Sequence, residues 1–258
     1  MNKTVFLFAT HKLTDFVLEQ YYRLKLATKN IGVLYLLIED GELQQISVDV
    51  KYYSFSVDTL NELNYEPIEE SIIPGSNHFP VLQFYKEHPE FLYYWNIEYD
   101  VYFNGKWESF FDPFEMIISD FISSHIEWYT QRPKWDWWKS VQFKTLSIPQ
   151  NRYLKSFNPI YRISNRALKA LDGVLSLRNS GHHEVVIPTV LDYLGYTIND
   201  FGGNSEFTLC ELNIPCYLSN SELNNWYTES TMRYRPVFNK EAITRKGIDN
   251  MLYHPIKF

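Results

Sequence analysis

The apolar run TVFLFAT at 4–10 has β-branched and aromatic members, the pattern of a strand buried on both faces. Leu13, Phe16, Val17, Tyr21, Leu24 and Leu26 then recur near helical spacing, up to Asn30-Ile31-Gly32. A second apolar run, GVLYLLIED, ends in Glu39 and Asp40. Strand, helix and strand at this length predict a βαβ unit, and a parallel sheet follows. VKYYSFS predicts a third strand and VDTLNEL a short helix, while Pro67, Pro74 and Gly75 mark 66–77 as a surface connection. FPVLQFYKEHP predicts a helix stopped by Pro89. A strand rich in aromatics follows, then a turn and short helix in NGKWESFFDPF.

Further on, DFISSHIEWY reads as a strand and the Trp-rich PKWDWWKSV as a loop packed over something. FNPIYRIS leads into a helix, NRALKALDGVLSL, with Ser164 as its cap. A second helix, HEVVIPTVLDYLGY, carries Pro188 near its first turn, where proline is tolerated. From Thr197 to Phe258 the pattern weakens to loops and short strands. The expected fold class is α/β, a Rossmann-type, mostly parallel sheet flanked by helices, with an irregular C-terminal elaboration. It is read as a single domain over 1–258, regular α/β over 1–111 and idiosyncratic over 112–258, as expected where a region shapes a substrate site.

Composition changes this picture in three ways. Aromatics reach 17%, through 20 Tyr, 18 Phe and 7 Trp. Such rings suit pockets for sugars or nucleobases, and a compositional bias of an AT-rich genome explains them equally well. The net charge of −7 argues against a broad surface for nucleic acid. Cys210 and Cys216, six apart and the only cysteines, read as reduced thiols. The N-terminal apolar run, Val5 to Ala9, is too short for a signal-peptide core or a membrane span. The expectation is a cytoplasmic protein with no transmembrane segment and at most a peripheral contact with the inner face of the membrane.

In open parallel sheets ligands bind beyond the carboxyl ends of the strands. That rule selects Thr10 and His11, then Glu39 and Asp40, then Glu98 and Asp100. Strand ends also need polar residues simply to meet solvent. Glu98 and Asp100, in YYWNIEYDVYFNGKW, are two apart and would face one way in an extended strand. Like charges held together need something positive between them: a metal, a Lys or an Arg, unless water solvates both. Mg²⁺ or Mn²⁺ prefers carboxylate oxygens and keeps positions for substrate phosphates. Arg233 and Arg235 could neutralise phosphates or pair with acids elsewhere. Trp128, Trp135, Trp137 and Trp138 suggest an acceptor-sugar platform, with packing under a loop as the competing explanation; Asp136 among them is a second candidate base.

The stretch FYKEHPEFLYYWNIEYDVYFNGKWESFF resembles the segment YxWxxEYDVxFxGxWxxFF of a family of glycosyltransferases with the GT-A fold. The close match covers about residues 79–111. In that fold an Asp-x-Asp-like motif ends a central strand and holds the metal that binds a nucleotide-sugar diphosphate; this chain has Glu-Tyr-Asp there. The resemblance implies a nucleotide-sugar donor, UDP-linked by preference, a glycan acceptor and a divalent cation, Mn²⁺ or Mg²⁺. It points to Glu184, after Gly181-His182-His183, as the base of an inverting transfer, with His183 on the acceptor side. The plain alternative is a helix-capping acid beside solvated histidines. A helix N-terminus would lower the Glu184 pKa. The resemblance also makes His254 a further metal ligand and Lys257 a diphosphate contact; a frayed terminus is the default, but the apolar setting of Met251, Leu252, Ile256 and Phe258 argues for docking instead. A metal-dependent phosphoryl hydrolase and a non-catalytic carbohydrate-binding protein are the alternative functions.

Overall fold

The computed structural model describes residues 4–41, 46–203, 205–209, 215–219 and 230–257. Strand β1 (Thr4–Thr10), helix α1 (Asp15–Thr28) and strand β2 (Val33–Glu39) form the expected βαβ unit, with β1 and β2 parallel. Strand β3 (Tyr52–Phe55), the short α2 (Thr59–Glu62) and α3 (Phe79–Glu87) lead to β4 (Tyr93–Glu98). After them come the two-residue β5 (Tyr102–Phe103), α4 (Trp107–Phe111), β6 (Phe121–Trp128) and β7 (Leu154–Ser164). Helices α5 (Asn165–Ser176) and α6 (His183–Tyr193) and strand β8 (Ile198–Asp200) complete the main body. Seven strands make one sheet in the order β3-β2-β1-β4-β7-β6-β8, in which only β7 runs against its neighbours. The fold is α/β, a mostly parallel sheet flanked by helices.

Alternation along β1 explains the two helical layers. Phe6 and Phe8 join Val17, Tyr21 and Leu24 of α1 in one core; Val5 and Leu7 join residues of α3, α5 and α6 in the other. In β4, Trp95 and Ile97 enter the first core and Tyr94 the second, so Asn96 and Glu98 share the second face. Much of the aromatic surplus is structural. Trp95 stacks on Phe6 and Phe201 at 6.2 and 5.9 Å and meets Phe110, Phe111 and Phe114 edge-on. Each such pair adds about 0.5–1.5 kcal/mol beyond the area it buries.

Some local expectations need correction. Leu26 is exposed on α1, because it sits two positions beyond Leu24, off the stripe that packs on the sheet. Pro188 is the sixth residue of α6, inside the helix, where its ring nitrogen has no N–H for the Glu184 carbonyl. The C-terminal stretch read as loops and short strands contains a helix, α7 (Lys240–Lys246), capped by Asn239. Its sequence, KEAITRK, buries only Ile243, so no hydrophobic period announces it. Cys216 is a free thiol pushed up to about 12 by burial; Cys210 lies outside the described residues. Among the described residues no helix is long and apolar enough to cross a membrane.

Asp120, buried ahead of β6, ties β7, α5 and β8 together. Its carboxylate accepts from Ser164 Oγ, from Arg166 Nε and Nη2, each at 2.6 Å, and from Thr197 N and Oγ1. Burial alone would raise its pKa, but Arg166, Ser164 and Thr197 outweigh it and hold the group below the usual carboxylate range. A depressed folded pKa contributes stability that is present above the unfolded value and lost as pH falls through the folded one. Asp120→Asn is expected to cost about 1.5–3 kcal/mol at pH 7, as for hydrogen bonds to a charged group. In urea melts across pH, that deficit shrinks below about pH 4, near the unfolded pKa of an aspartate. A deficit constant down to pH 2 would contradict it.

Candidate active site

The strand order reverses at β1, which has β2 on one side and β4 on the other, and the site opens beyond these two carboxyl ends. Thr10 Oγ1 donates to the Lys12 carbonyl at 2.6 Å and accepts from the Lys12 N–H, fixing the turn off β1. Tyr99 donates its N–H to the Ala9 carbonyl, while its ring meets His11 edge-on at 5.1 Å and lies under Lys12 Nζ at 5.1 Å. β4 ends at Glu98, so the two acids do not share an extended strand. A turn closed by Val101 N–H to Glu98 O, at 3.0 Å, brings Asp100 round beside Glu98.

The third member of this group comes from the far end of the chain. β10 (Leu252–Tyr253) pairs antiparallel with β5, and β11 (Ile256–Lys257) pairs parallel with β9 (Phe238–Asn239). Ile256 donates its N–H to the Asp100 carbonyl at 3.0 Å. The tail is therefore docked, and it sets His254 Nε2 3.4 Å from Asp100 Oδ1. One ligand atom from each of Glu98, Asp100 and His254 lies within 4.8 Å of the others.

This trio fits a divalent cation. Two carboxylates and an imidazole suit Mn²⁺ better than Mg²⁺. His254 donates Nδ1–H to the Arg233 carbonyl at 2.8 Å, which turns Nε2 towards the acids, the bond that commonly orients a ligating histidine. Ionisation is consistent with that arrangement. Glu98 opens onto a cavity but is otherwise walled by protein; burial, then the Asp100 charge, push it up to about 7. Burial would raise Asp100 too, but His254 outweighs that and lowers it. Burial would lower His254; the charges of Asp100 and Glu98 and the Arg233 carbonyl raise it instead. His254, its pKa raised by the two acids, is the partner set against them, and a metal would compete with a proton for its Nε2.

The cavity measures about 1060 Å³ and is lined by the strand ends, the loop 71–77, Trp135 and Trp137, the start of α6 and the docked tail. Glu184 enters it from the second residue of α6. His183 N–H donates to Gly75 O, and the Glu184 N–H donates to His182 Nδ1 at 3.3 Å, so the helix start is held on both sides. Glu184 Oε1 accepts from the Asn158 N–H at 3.3 Å. Its pKa is raised to about 7: burial dominates, against the pull of Lys155, the Asn158 N–H and His254. The lowering expected from a helix N-terminus does not prevail, because the side chain is only 12% exposed and desolvation penalises its charge more strongly.

Thr10, His11, Glu39, Glu98, Asp100, Arg235, Trp135, Trp137, His183, Glu184, His254 and Lys257 all line this cavity. Four expected contacts do not, among them Trp128, whose Nε1–H donates to Glu206 instead. Asp40 follows the end of β2 and faces solvent. Arg233 is buried, its Nε donating to the Pro236 carbonyl and its guanidinium 3.6 Å from the Phe238 ring, so it shapes the tail. Trp138 is 3% exposed and donates Nε1–H to the Arg132 carbonyl, packed beneath Trp135. Spacing could not separate neighbouring tryptophans in a 3₁₀ segment, where one side chain in three turns inward. Asn77, Asn96, Tyr99 and His182 line the cavity as well and were not anticipated. A buried amide within the apolar run YYWNIE was the available signal for Asn96.

No protein-family model matches the chain, and no curated protein matches it. Among solved structures, it is similar to one assigned as a glucose-1-phosphate thymidylyltransferase from Bacillus anthracis, in complex with sucrose. The TM-score is 0.44 at 10% identity, over 78% of this chain and 87% of that one. It is also similar to a glycosyltransferase involved in glycosylation of the major capsid of PBCV-1, with a TM-score of 0.38 at 12% identity over 78% and 84%. Similarities of this size do not define an activity; the side chains of the cavity have to do so.

Proposed function

We propose that the protein is a glycosyltransferase that moves a sugar from a nucleotide-diphospho donor to a hydroxyl of a glycan or related acceptor, with inversion. The observation that carries this reading is the Glu98–Asp100–His254 cluster beside the switch point of the sheet, with Glu184 on α6 entering the same cavity. The Glu-Tyr-Asp resemblance to GT-A glycosyltransferases points the same way. Glu98, Asp100 and His254 would hold Mn²⁺ or Mg²⁺, which when bound neutralises the diphosphate as it leaves. Lys12, Arg235 and Lys257 line the cavity beside His11 and add positive charge for the diphosphate. Glu39, at the end of β2, is placed to accept from a ribose or base, UDP being the favoured donor. Trp137, stacked on His182 at 4.3 Å, and Trp135 offer flat faces to an acceptor sugar.

The transfer needs one proton acceptor. Glu184 Oε takes the acceptor hydroxyl proton as that oxygen bonds to the anomeric carbon. The bond from that carbon to the diphosphate oxygen breaks, and its electron pair leaves with the diphosphate. A pKa near 7 keeps Glu184 ionised enough to accept the proton near neutral pH. Among the described residues, no second group of His, Cys, Asp and Glu is gathered as a metal site, which disfavours a two-metal phosphoryl hydrolase.

The test is thermal unfolding with UDP, GDP or CMP, each with Mn²⁺ or with EDTA. A ligand at 100 times its Kd stabilises the native state by about 2.7 kcal/mol, a shift of several degrees. One nucleotide is expected to raise Tm only with Mn²⁺. No shift with any nucleotide refutes the donor site, and a shift that survives EDTA refutes the metal role.

A further inference from the structure

The charges lining the cavity are segregated. The lysines and the arginine of the lining gather, with His11, at the Tyr99–Asp100 turn. His11 and Lys12 pack on the Tyr99 ring, the Arg235 charge acts on the Tyr99 hydroxyl, and Lys257 follows the residue bonded to the Asp100 carbonyl. The opposite end runs from Glu98 through Asn77 and Asn96 to His183 and Glu184. Among the described lining residues, this end has no Lys or Arg. Lys155 lies behind Glu184, its Nζ donating to the His125 carbonyl at 3.1 Å and lying 3.4 Å from Glu127.

The same end holds polar atoms with no partner inside the protein. Asn77 donates Nδ2–H to Glu98 Oε1 at 3.3 Å, but its Oδ1 is buried and unpartnered. Asn96 is 3% exposed, between Leu7 of β1 and Tyr161 of β7, and its Oδ1 is likewise unpartnered. His183 Nδ1 is a third. Buried polar atoms are nearly always hydrogen-bonded, so three orphans on residues of one cavity point to a ligand with many donors and acceptors. Burial depresses the pKa of both His182 and His183, so neither brings positive charge to this end.

Resting on the glycosyltransferase reading, we infer that this end holds the transferred sugar, that the sugar is uncharged, and that Asn77 and Asn96 read its hydroxyls. Amides satisfy a hydroxyl as donor and acceptor together. A uronate or other acidic sugar would bring a third carboxylate to Glu98 and Glu184, where no described Lys or Arg lines the cavity. The divalent cation would already be shared by Glu98, Asp100, His254 and the diphosphate, and like-charge contact of this kind rejects a ligand.

Isothermal titration with Mn²⁺ tests this in two stages. UDP, GDP, CDP and dTDP are titrated first, to find the base that binds. The glucose, galactose, N-acetylglucosamine and glucuronate derivatives of that nucleotide follow. At least one neutral sugar is expected to bind ten-fold or more tighter than the glucuronate derivative. In Asn96→Leu, which keeps an apolar fit in the strand, and in Asn77→Ala, the advantage of the neutral sugar nucleotide over the bare nucleotide should fall about ten-fold. If no nucleotide binds, the glycosyltransferase reading itself fails. If a nucleotide binds and the glucuronate derivative equals the neutral ones, the inference is overturned while that reading stands. A neutral-sugar advantage unchanged in both variants removes Asn77 and Asn96 from the sugar site.

Discussion

Asp100→Asn is expected to weaken Mn²⁺ binding at least 100-fold and to lower kcat/KM by a similar factor or more. Asp100 belongs to the cluster, 3.4 Å from His254 Nε2 and beside Glu98 across a tight turn. Substituting groups that only orient a ligand typically costs 10–100-fold in metal affinity, so loss of a ligand charge sets a higher floor. A 100-fold loss corresponds to about 2.7 kcal/mol. The variant also removes the charge that helps raise the His254 pKa and helps hold Glu98 up at about 7. Folding should survive, because the turn rests on backbone bonds: Tyr99 to Ala9, Val101 to Glu98 and Ile256 to the Asp100 carbonyl. Manganese titration followed by electron paramagnetic resonance reads the affinity directly, and a melting curve checks the fold. Unchanged Mn²⁺ affinity in a folded variant would remove Asp100 from the metal site, leaving Asp100 and His254 as a structural ion pair.

Glu184→Gln is expected to lower kcat by about 10²–10⁴-fold, the usual contribution of a positioned general base, while KM for the donor changes little. The amide is nearly isosteric, so the bond from the Asn158 N–H and the helix start at His182 and His183 are kept. What is lost is a basic oxygen. The pH profile makes the role separable from a structural one. A base with a pKa of about 7 is protonated and idle below that value, so wild-type activity should rise through about pH 7 and level off above it. Glu98 also titrates near there, but saturating Mn²⁺ holds it ionised and removes it from the profile. In Glu184→Gln the rising limb should vanish with the rate. Retention of both would exclude Glu184 as base and leave Asp136, which also lines the cavity, as the acid to test.

The first half of the fold was legible because its signals are local. Buried parallel strands read as unbroken apolar runs, and TVFLFAT, GVLYLLIED and the aromatic strand before Glu98 all became strands of the main sheet. Ser164 was readable as a cap, and its side chain accepts from the Ala167 N–H. The tail was less so. β9, β10 and β11 are two residues each and α7 buries a single side chain, so their stability comes from partners far away in sequence. Leu252 faces Phe103 in a pairing that no periodicity within 197–258 could foreshadow.

The candidate site divides along the same line. By itself the sequence determined that acids and an aromatic strand meet at a sheet edge, because strand ends and the Glu-Tyr-Asp triplet are contiguous in the chain. It also placed Glu184 at a helix start and His254 in an apolar setting suited to docking. Only the tertiary structure decided which of these residues meet. It turned Asp100 back by a tight turn instead of along the strand, and brought His254 to the two acids through the tail. It sent Arg233 and Trp138 inward and left Asp40 in water. It also reversed the sign expected for Glu184. A helix N-terminus favours the ionised carboxylate, but the walls of the cavity, built by segments 71–77, 135–137 and 254–257, remove the water that would support that charge. The solvent a group loses depends on residues distant in sequence, and so does the pKa it takes.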